Sequence, residues 1–254
     1  DPERSILFVQ SHVPQADAFT FWVMAIFEGD GFTRVTTFKE KARMQPHNIN
    51  YGLVGYPVLM TADIILYKAN TVPVGEDQLP HLELARDIVR RFNYLFGETF
   101  PEPQAKLTDA PLVLGLDGVS KMSKSLDNHI ELAASPEETI ERVMSSFTDP
   151  ARRYRSDPGH PDKCNIFSLH KWFSSDQMRG NIFEDCQKAK IGCVDCKQAL
   201  ANSINKELAP FRERRMALAE NPQYVADVLA EGARRAHGIA SETIGEVKGK
   251  MGLI

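Results

Sequence analysis

Residues 115–128 read GLDGVSKMSKSLDN and place Lys121, Ser123, Lys124 and Ser125 around one apolar residue, Met122. Gly115, Asp117, Gly118 and Asp127 flank them as turn formers. Lysine ammoniums are compact point charges that suit triphosphate oxygens, and serine hydroxyls and loop amides add further donors. The stretch is therefore expected to be a mobile phosphate-binding loop without an apolar anchor. A solvated linker is the plainer reading. Residues 71–88, TVPVGEDQLPHLELARDI, form a second candidate. A strand ending at Gly75 and running into a helix leaves backbone amides for a ribose hydroxyl or an anion, with Asp77 and Gln78 at the carboxyl end of the strand, where open α/β sheets bind ligands. The bland alternative is that Asp77 caps the helix.

Residues 56–67, YPVLMTADIILY, put Tyr56, Met60, Asp63, Ile64 and Tyr67 on one helical face. A carboxylate on such a stripe needs donors, from an arginine, a helix end or a ligand. The four cysteines, Cys164, Cys186, Cys193 and Cys196, follow the pattern C-x21-C-x6-C-x2-C. Cys193 and Cys196 share a face in the expected first turn of a helix, which favours the thiolate form that binds metal. A metal–sulfur cluster, a structural Zn²⁺ and unligated buried thiols are all compatible with that spacing.

These groups need a scaffold. Residues 5–10, 32–38 and 70–75 read as strands, with helical patterns between them, which indicates a parallel α/β sheet. Leu84, Ala85, Ile88, Val89 and Phe92 form the stripe of an amphipathic helix that Gly97 should end. Ser135, Pro136 and Glu138 stand in capping-box order, and the chain beyond them is helical in period. The expected layout is an α/β domain over residues 1–130 followed by an all-helical domain over 131–254.

The net charge of −4 excludes nucleic-acid coating by bulk charge. An RNA partner would use local patches such as Arg152, Arg153 and Arg155, or Arg212, Arg214 and Arg215, although short runs of this kind are commonly solvated helix faces. No run reaches the roughly 18 apolar residues of a membrane span, and the acidic start is unlike a signal peptide, so a cytoplasmic protein with no membrane partner is expected.

K-M-S-K-S resembles the second signature of class I aminoacyl-tRNA synthetases, and G-E-D-Q within residues 75–78 resembles the tryptophanyl-tRNA synthetase family. The resemblance implies a Rossmann-like catalytic domain followed by a helical anticodon-binding domain. It implies ATP-dependent activation of L-tryptophan, transfer to tRNA(Trp), Mg²⁺ accompanying ATP, and a homodimer. It assigns Asp63 to the indole N–H, Met60, Val72 and Val74 to the pocket wall, and Tyr56 and Gln78 to the amino and carboxylate ends of the substrate. Gly75, Glu76, Asp77, Val113, Met122, Ser123 and Ser125 would contact ATP together with Lys121 and Lys124, and Lys41 would join those two lysines in catalysis. Some members carry a [4Fe–4S] cluster on nearly this cysteine spacing.

The family's first signature, a P-x-G-x-x-H-x-G-like run, is not found. Judged against the family, residue 1 lies well inside the enzyme, and a catalytically impaired chain is expected. A non-catalytic tRNA- or tryptophan-binding relative and a tyrosyl-tRNA synthetase are the rival readings.

Overall fold

A computed structural model describes residues 1–26, 47, 51–107 and 113–254. Among these the main elements run α1 (Gln15–Ile26), α2 (Tyr51–Ile65), β1 (Thr71–Pro73), α3 (Leu79–Phe96), β2 (Gln104–Lys106), α4 (Pro136–Ser145), α5 (Asn165–Phe173), α6 (Asp176–Gln187), α7 (Cys193–Ala219) and α8 (Pro222–Lys250). The chain divides into two compact units. The first comprises Asp1–Pro111 with Gln223–Ile254, and the second comprises Leu112–Pro222.

This division differs from a single boundary near residue 130. Leu116, Val113 and Met122 pack into the core of the second unit, so the lysine loop belongs there. At the other end Ala236, Ala240 and Val247 of α8 fill the core of the first unit.

In the first unit β1 and β2 pair in parallel, with Thr71 opposite Gln104, Val72 opposite Ala105 and Pro73 opposite Lys106. Joining parallel neighbours requires a crossover, which α3 provides, so the α/β expectation holds. The strand expected over 70–75 is confined to 71–73. It ends at Pro73, which lacks a ladder donor. Residues 5–9 are not a strand, and Gln10–His12 is a 3₁₀ turn. The Ser5 and Leu7 carbonyls face α8 instead of a ladder. Arg235 donates through Nη1 to the Pro2 carbonyl at 2.9 Å, and the Leu7 carbonyl lies so close to α8 that a Cβ on Gly232 would sit 1.8 Å from it. The strand expected over 32–38 falls outside the described residues.

The α3 stripe is buried as expected, through Leu84, Ala85, Ile88, Val89 and Phe92. Gly97 ends the helix at φ 86°, a left-handed value that glycine adopts without a Cβ clash. Phe92 meets Phe100 edge-on at 4.9 Å, and Phe19 lies 6.0 Å from Phe100.

The second unit is helical apart from the lysine loop. Ser135 accepts from the Glu138 amide at 3.1 Å, and Glu138 accepts from the Ser135 amide at 2.7 Å, which completes the capping box of α4. Val143, Ile166, Leu169, Leu200, Ile204 and Leu208 form its core. Lys197 on α7 donates to the Met144 and Ser146 carbonyls, both at 2.7 Å, and so satisfies the carboxyl end of α4. Among the described residues no helix is long and apolar enough to cross a membrane.

Candidate functional site

Helix α2 carries the first group of candidate residues. Its apolar positions Val58, Ala62 and Ile65 are buried in the core, and its other face presents Tyr56, Met60 and Asp63 half-buried. Pro57 sits inside the helix, and its carbonyl accepts from the Thr61 hydroxyl at 3.0 Å. Among the described residues Asp63 meets neither an arginine nor a helix end. Its Oδ1 accepts from Gln10 Nε2 at 2.7 Å. Burial raises the Asp63 carboxyl above the ordinary aspartate range, the Gln10 hydrogen bond opposes this, and Asp17 adds a further upward push. Burial and the nearby Asp63 likewise raise the Tyr67 phenol.

Tyr56 points its hydroxyl at Nε2 of the buried His81, 2.8 Å away, so α2 and α3 share a polar contact beside Met60. Met60 and Val72 both pack against the core of the first unit, and Val74 is half-buried one step beyond β1. Gly75 precedes the 3₁₀ turn Glu76–Gln78, and α3 follows at Leu79. The capping role weighed for Asp77 is not found. Gln78 occupies the cap position of α3 without a side-chain capping bond, and its Nε2 donates to Asp77 Oδ2 at 2.9 Å. Tyr56, Met60, Asp63, Val72, Val74, Gly75, Glu76, Asp77 and Gln78 thus all lie in the first unit, on α2, on β1 or in the turn after it.

The lysine loop belongs to the second unit, and it does have an anchor. Met122 packs against that unit's core, and its amide donates to the Val113 carbonyl at 2.9 Å. Leu114 and Lys121 form an antiparallel bridge. Asn128, only 5% exposed, holds the segment from within: its Oδ1 accepts from the Ser123 amide at 2.7 Å, and its Nδ2 donates to Asp117 Oδ2 at 2.8 Å and to the Lys121 carbonyl at 3.2 Å. Asp117 Oδ1 in turn accepts from the amides of Val119 and Ser120 at 2.9 and 3.0 Å, and these bonds hold its carboxyl below the usual range. The Ser123 and Ser125 hydroxyls lie 2.7 Å apart. Lys124 is 86% exposed and only 3.9 Å from Glu131 at closest approach, while Lys121 is also on the surface.

Sequence reading missed Gln10 and Asn128, whose roles depend on tertiary neighbours. The adjacency of a buried-type amide to a lysine loop was the one local sign of the second. Lys41 lies outside the described residues.

The cysteines gather in the second unit. Cys193 opens α7 as expected, Cys196 is buried one turn on, and Cys164, Cys186 and Cys193 are half-buried. Burial pushes the Cys196 thiol up to about 12, with the other three thiols adding to the shift, so the four act on one another electrostatically. Arg152 approaches Cys186 Sγ at 3.7 Å and opposes the rise at that thiol. A Cβ on Gly159 would sit 2.4 Å from the same sulfur. Donor type, number and a charge-balancing guanidinium fit a four-thiolate centre. Yet among the described residues no group of three or more His, Cys, Asp or Glu side chains converges closely enough to hold a metal ion.

Comparison with known proteins places these observations in context. The chain matches the family described as tRNA synthetases class I (W and Y) over residues 1–209. It is 43% identical over its whole length to the tryptophan–tRNA ligase of Thermotoga maritima, covering 78% of that protein, and 43% identical to that of Deinococcus radiodurans, covering 77%. The crystal structure of tryptophanyl-tRNA synthetase from Campylobacter jejuni, complexed with ADP and tryptophan, superposes with a TM-score of 0.86 at 32% identity, over 99% of this chain and 78% of that one.

Proposed function

The chain belongs to the class I tRNA synthetases of the tryptophan and tyrosine type and is an aminoacyl-tRNA synthetase, and from that premise we propose that it is a tryptophan–tRNA ligase. It activates L-tryptophan with Mg²⁺–ATP to the adenylate and transfers the acyl group to tRNA(Trp).

Asp63 carries this reading. A half-buried carboxylate with a raised pKa and one neutral amide donor gains from a second N–H, and an indole supplies one. Phenylalanine has no such donor and leaves the group under-satisfied, and hydrogen-bonding sites of this kind discriminate by about 10⁴ or more. A tyrosyl enzyme must instead satisfy a phenolic hydroxyl. Met60, Val72 and Val74 would wall the ring, with Tyr56 and Gln78 towards the amino and carboxylate ends.

Adenylation is positioning plus stabilisation of charge on the α-phosphorus and the leaving pyrophosphate. Lys121 and Lys124 would neutralise that charge, joined by Lys41. Gly75, Glu76, Asp77, Val113, Met122, Ser123 and Ser125 would contact the nucleotide. Cys164, Cys186, Cys193 and Cys196 would hold a [4Fe–4S] cluster, or Zn²⁺ in its place, with the structural job of fixing helices that receive the tRNA. Four protein ligands leave no open position for catalysis. A homodimer completes the family pattern.

The test is tryptophan-dependent ATP–pyrophosphate exchange by the full gene product, with wild type, Asp63→Ala and Lys124→Ala compared. Asp63→Ala should weaken tryptophan binding more than tenfold, while Lys124→Ala should lower the rate with little change in tryptophan affinity. Exchange driven equally by tyrosine, or by no amino acid at all, would overturn the proposal.

A further inference from the structure

We propose that Asn128 is the positioning residue of the lysine loop, the side chain that sets where Lys121 and Lys124 stand for the nucleotide. The inference rests on the reading of that loop as the ATP-binding element. Two turns carry the lysines, and Asn128 bonds to both. Its Oδ1 takes the Ser123 amide at 2.7 Å, one residue before Lys124, and its Nδ2 reaches the Lys121 carbonyl at 3.2 Å. The same Nδ2 donates at 2.8 Å to Asp117, whose other oxygen gathers the Val119 and Ser120 amides of the preceding turn. The Asn128 carbonyl also accepts from the Leu116 amide at 2.7 Å.

A second clamp holds the far side. The Lys124–Leu126 turn closes on Asp127 at φ 50°, a left-handed value, and Arg142 on α4 donates to the Asp127 carbonyl at 2.5 Å and to the His129 carbonyl at 2.9 Å. The backbone also makes room for the amide. A Cβ on Gly115 would lie 2.0 Å from Asn128 Nδ2, so residue 115 is small because the amide occupies its space.

Only a primary amide donates and accepts from one planar head of this length. An aspartate would keep the acceptor, lose the donor, and bring a second negative charge against Asp117. Asn128→Asp should therefore lower the exchange rate constant by about 10- to 100-fold, the scale of an ångström-level misplacement, and leave the KM for tryptophan within about twofold. Two facing carboxylates share a proton, so activity lost by the variant should return in part on the acid side of the pH profile, relative to wild type at the same pH. Asn128→Asp/Asp117→Asn reverses the direction of the hydrogen bond to residue 117 but leaves the Lys121 carbonyl without its donor, so it should recover part of the rate.

The experiment measures exchange by the full gene product for wild type, both variants and Lys124→Ala, together with amide hydrogen exchange at Ser123 in the free protein. Rate loss with a steady tryptophan KM, partial rescue by the double variant and a Ser123 amide that stays protected in the single variant uphold the proposal. An unchanged rate in Asn128→Asp beside a crippled Lys124→Ala overturns it and leaves the ATP reading standing. An active Lys124→Ala removes that underlying reading instead. If Asn128→Asp does not fold, the double variant decides alone: exchange below wild type with a steady tryptophan KM upholds the proposal, and full wild-type exchange overturns it.

Discussion

Gln10 Nε2 donates to Asp63 Oδ1 at 2.7 Å, although 53 positions separate the two residues in the chain. The amide offers the carboxylate a neutral donor, so burial is not offset by a full opposite charge and the Asp63 carboxyl stays raised. An aspartate raised by folding favours the neutral state in the native protein. Its stability contribution is complete below the unfolded value of about 3.9 and is lost as pH climbs through the raised native value. Asp63→Asn should therefore melt above wild type at pH 7, with the gap closing as the pH drops below about 4. Thermal melts across that range check this, and a less stable variant at neutral pH would contradict it.

Gly115→Ala forces a methyl against Asn128 and should destabilise the protein by about 1–3 kcal/mol, the usual cost of overpacking. Removing the obstacle should soften the penalty, so Gly115→Ala combined with Asn128→Ala ought to cost less than the sum of the two single changes. Urea titrations of the four proteins decide it.

Lys197 joins α7 to the end of α4 through two carbonyls. Lys197→Met keeps the apolar stem and deletes the ammonium, and it should cost about 1–3 kcal/mol, in line with buried acceptors left without their charged donor. Differential scanning calorimetry should show a lower Tm, with Lys171→Met on the exposed side of α5 as the comparison that stays put.

Anaerobic reconstitution of the protein with iron and sulfide should produce a broad visible absorption that dithionite bleaches. Cys196→Ser should abolish it, because that sulfur is the buried member of the set. Stoichiometric zinc without iron in the purified protein would favour the Zn²⁺ reading.

Local rules predicted the parts of this fold that local rules determine. The Ser135–Glu138 capping box, the α3 stripe, the stop at Gly97 and the opening of α7 at Cys193 need only neighbours within a turn or two, and each is found. β2 escaped notice because three residues, Gln104, Ala105 and Lys106, carry no strand pattern, and their pairing with β1 supplies the structure. Residues 5–9 misled for the opposite reason. Their apolar run suits a strand, yet α8 claims the Ser5 carbonyl through Arg235, 230 positions away, and closes on the Leu7 carbonyl at Gly232. The lysine loop was found from its residue types, whereas its support was not, because Asn128 acts through bonds that a linear pattern does not show.

The first unit is closed by a helix that begins only after the second unit has been spelled out. On the ribosome, where domains tend to fold as they emerge, the inner unit can mature while its host waits for Ala236, Ala240 and Val247 to seal it. During that interval the unfinished host exposes greasy surface to water. Removing a few turns from the end of α8 should therefore harm the sheet-bearing first unit and spare the second, which lies nearer the cut along the chain.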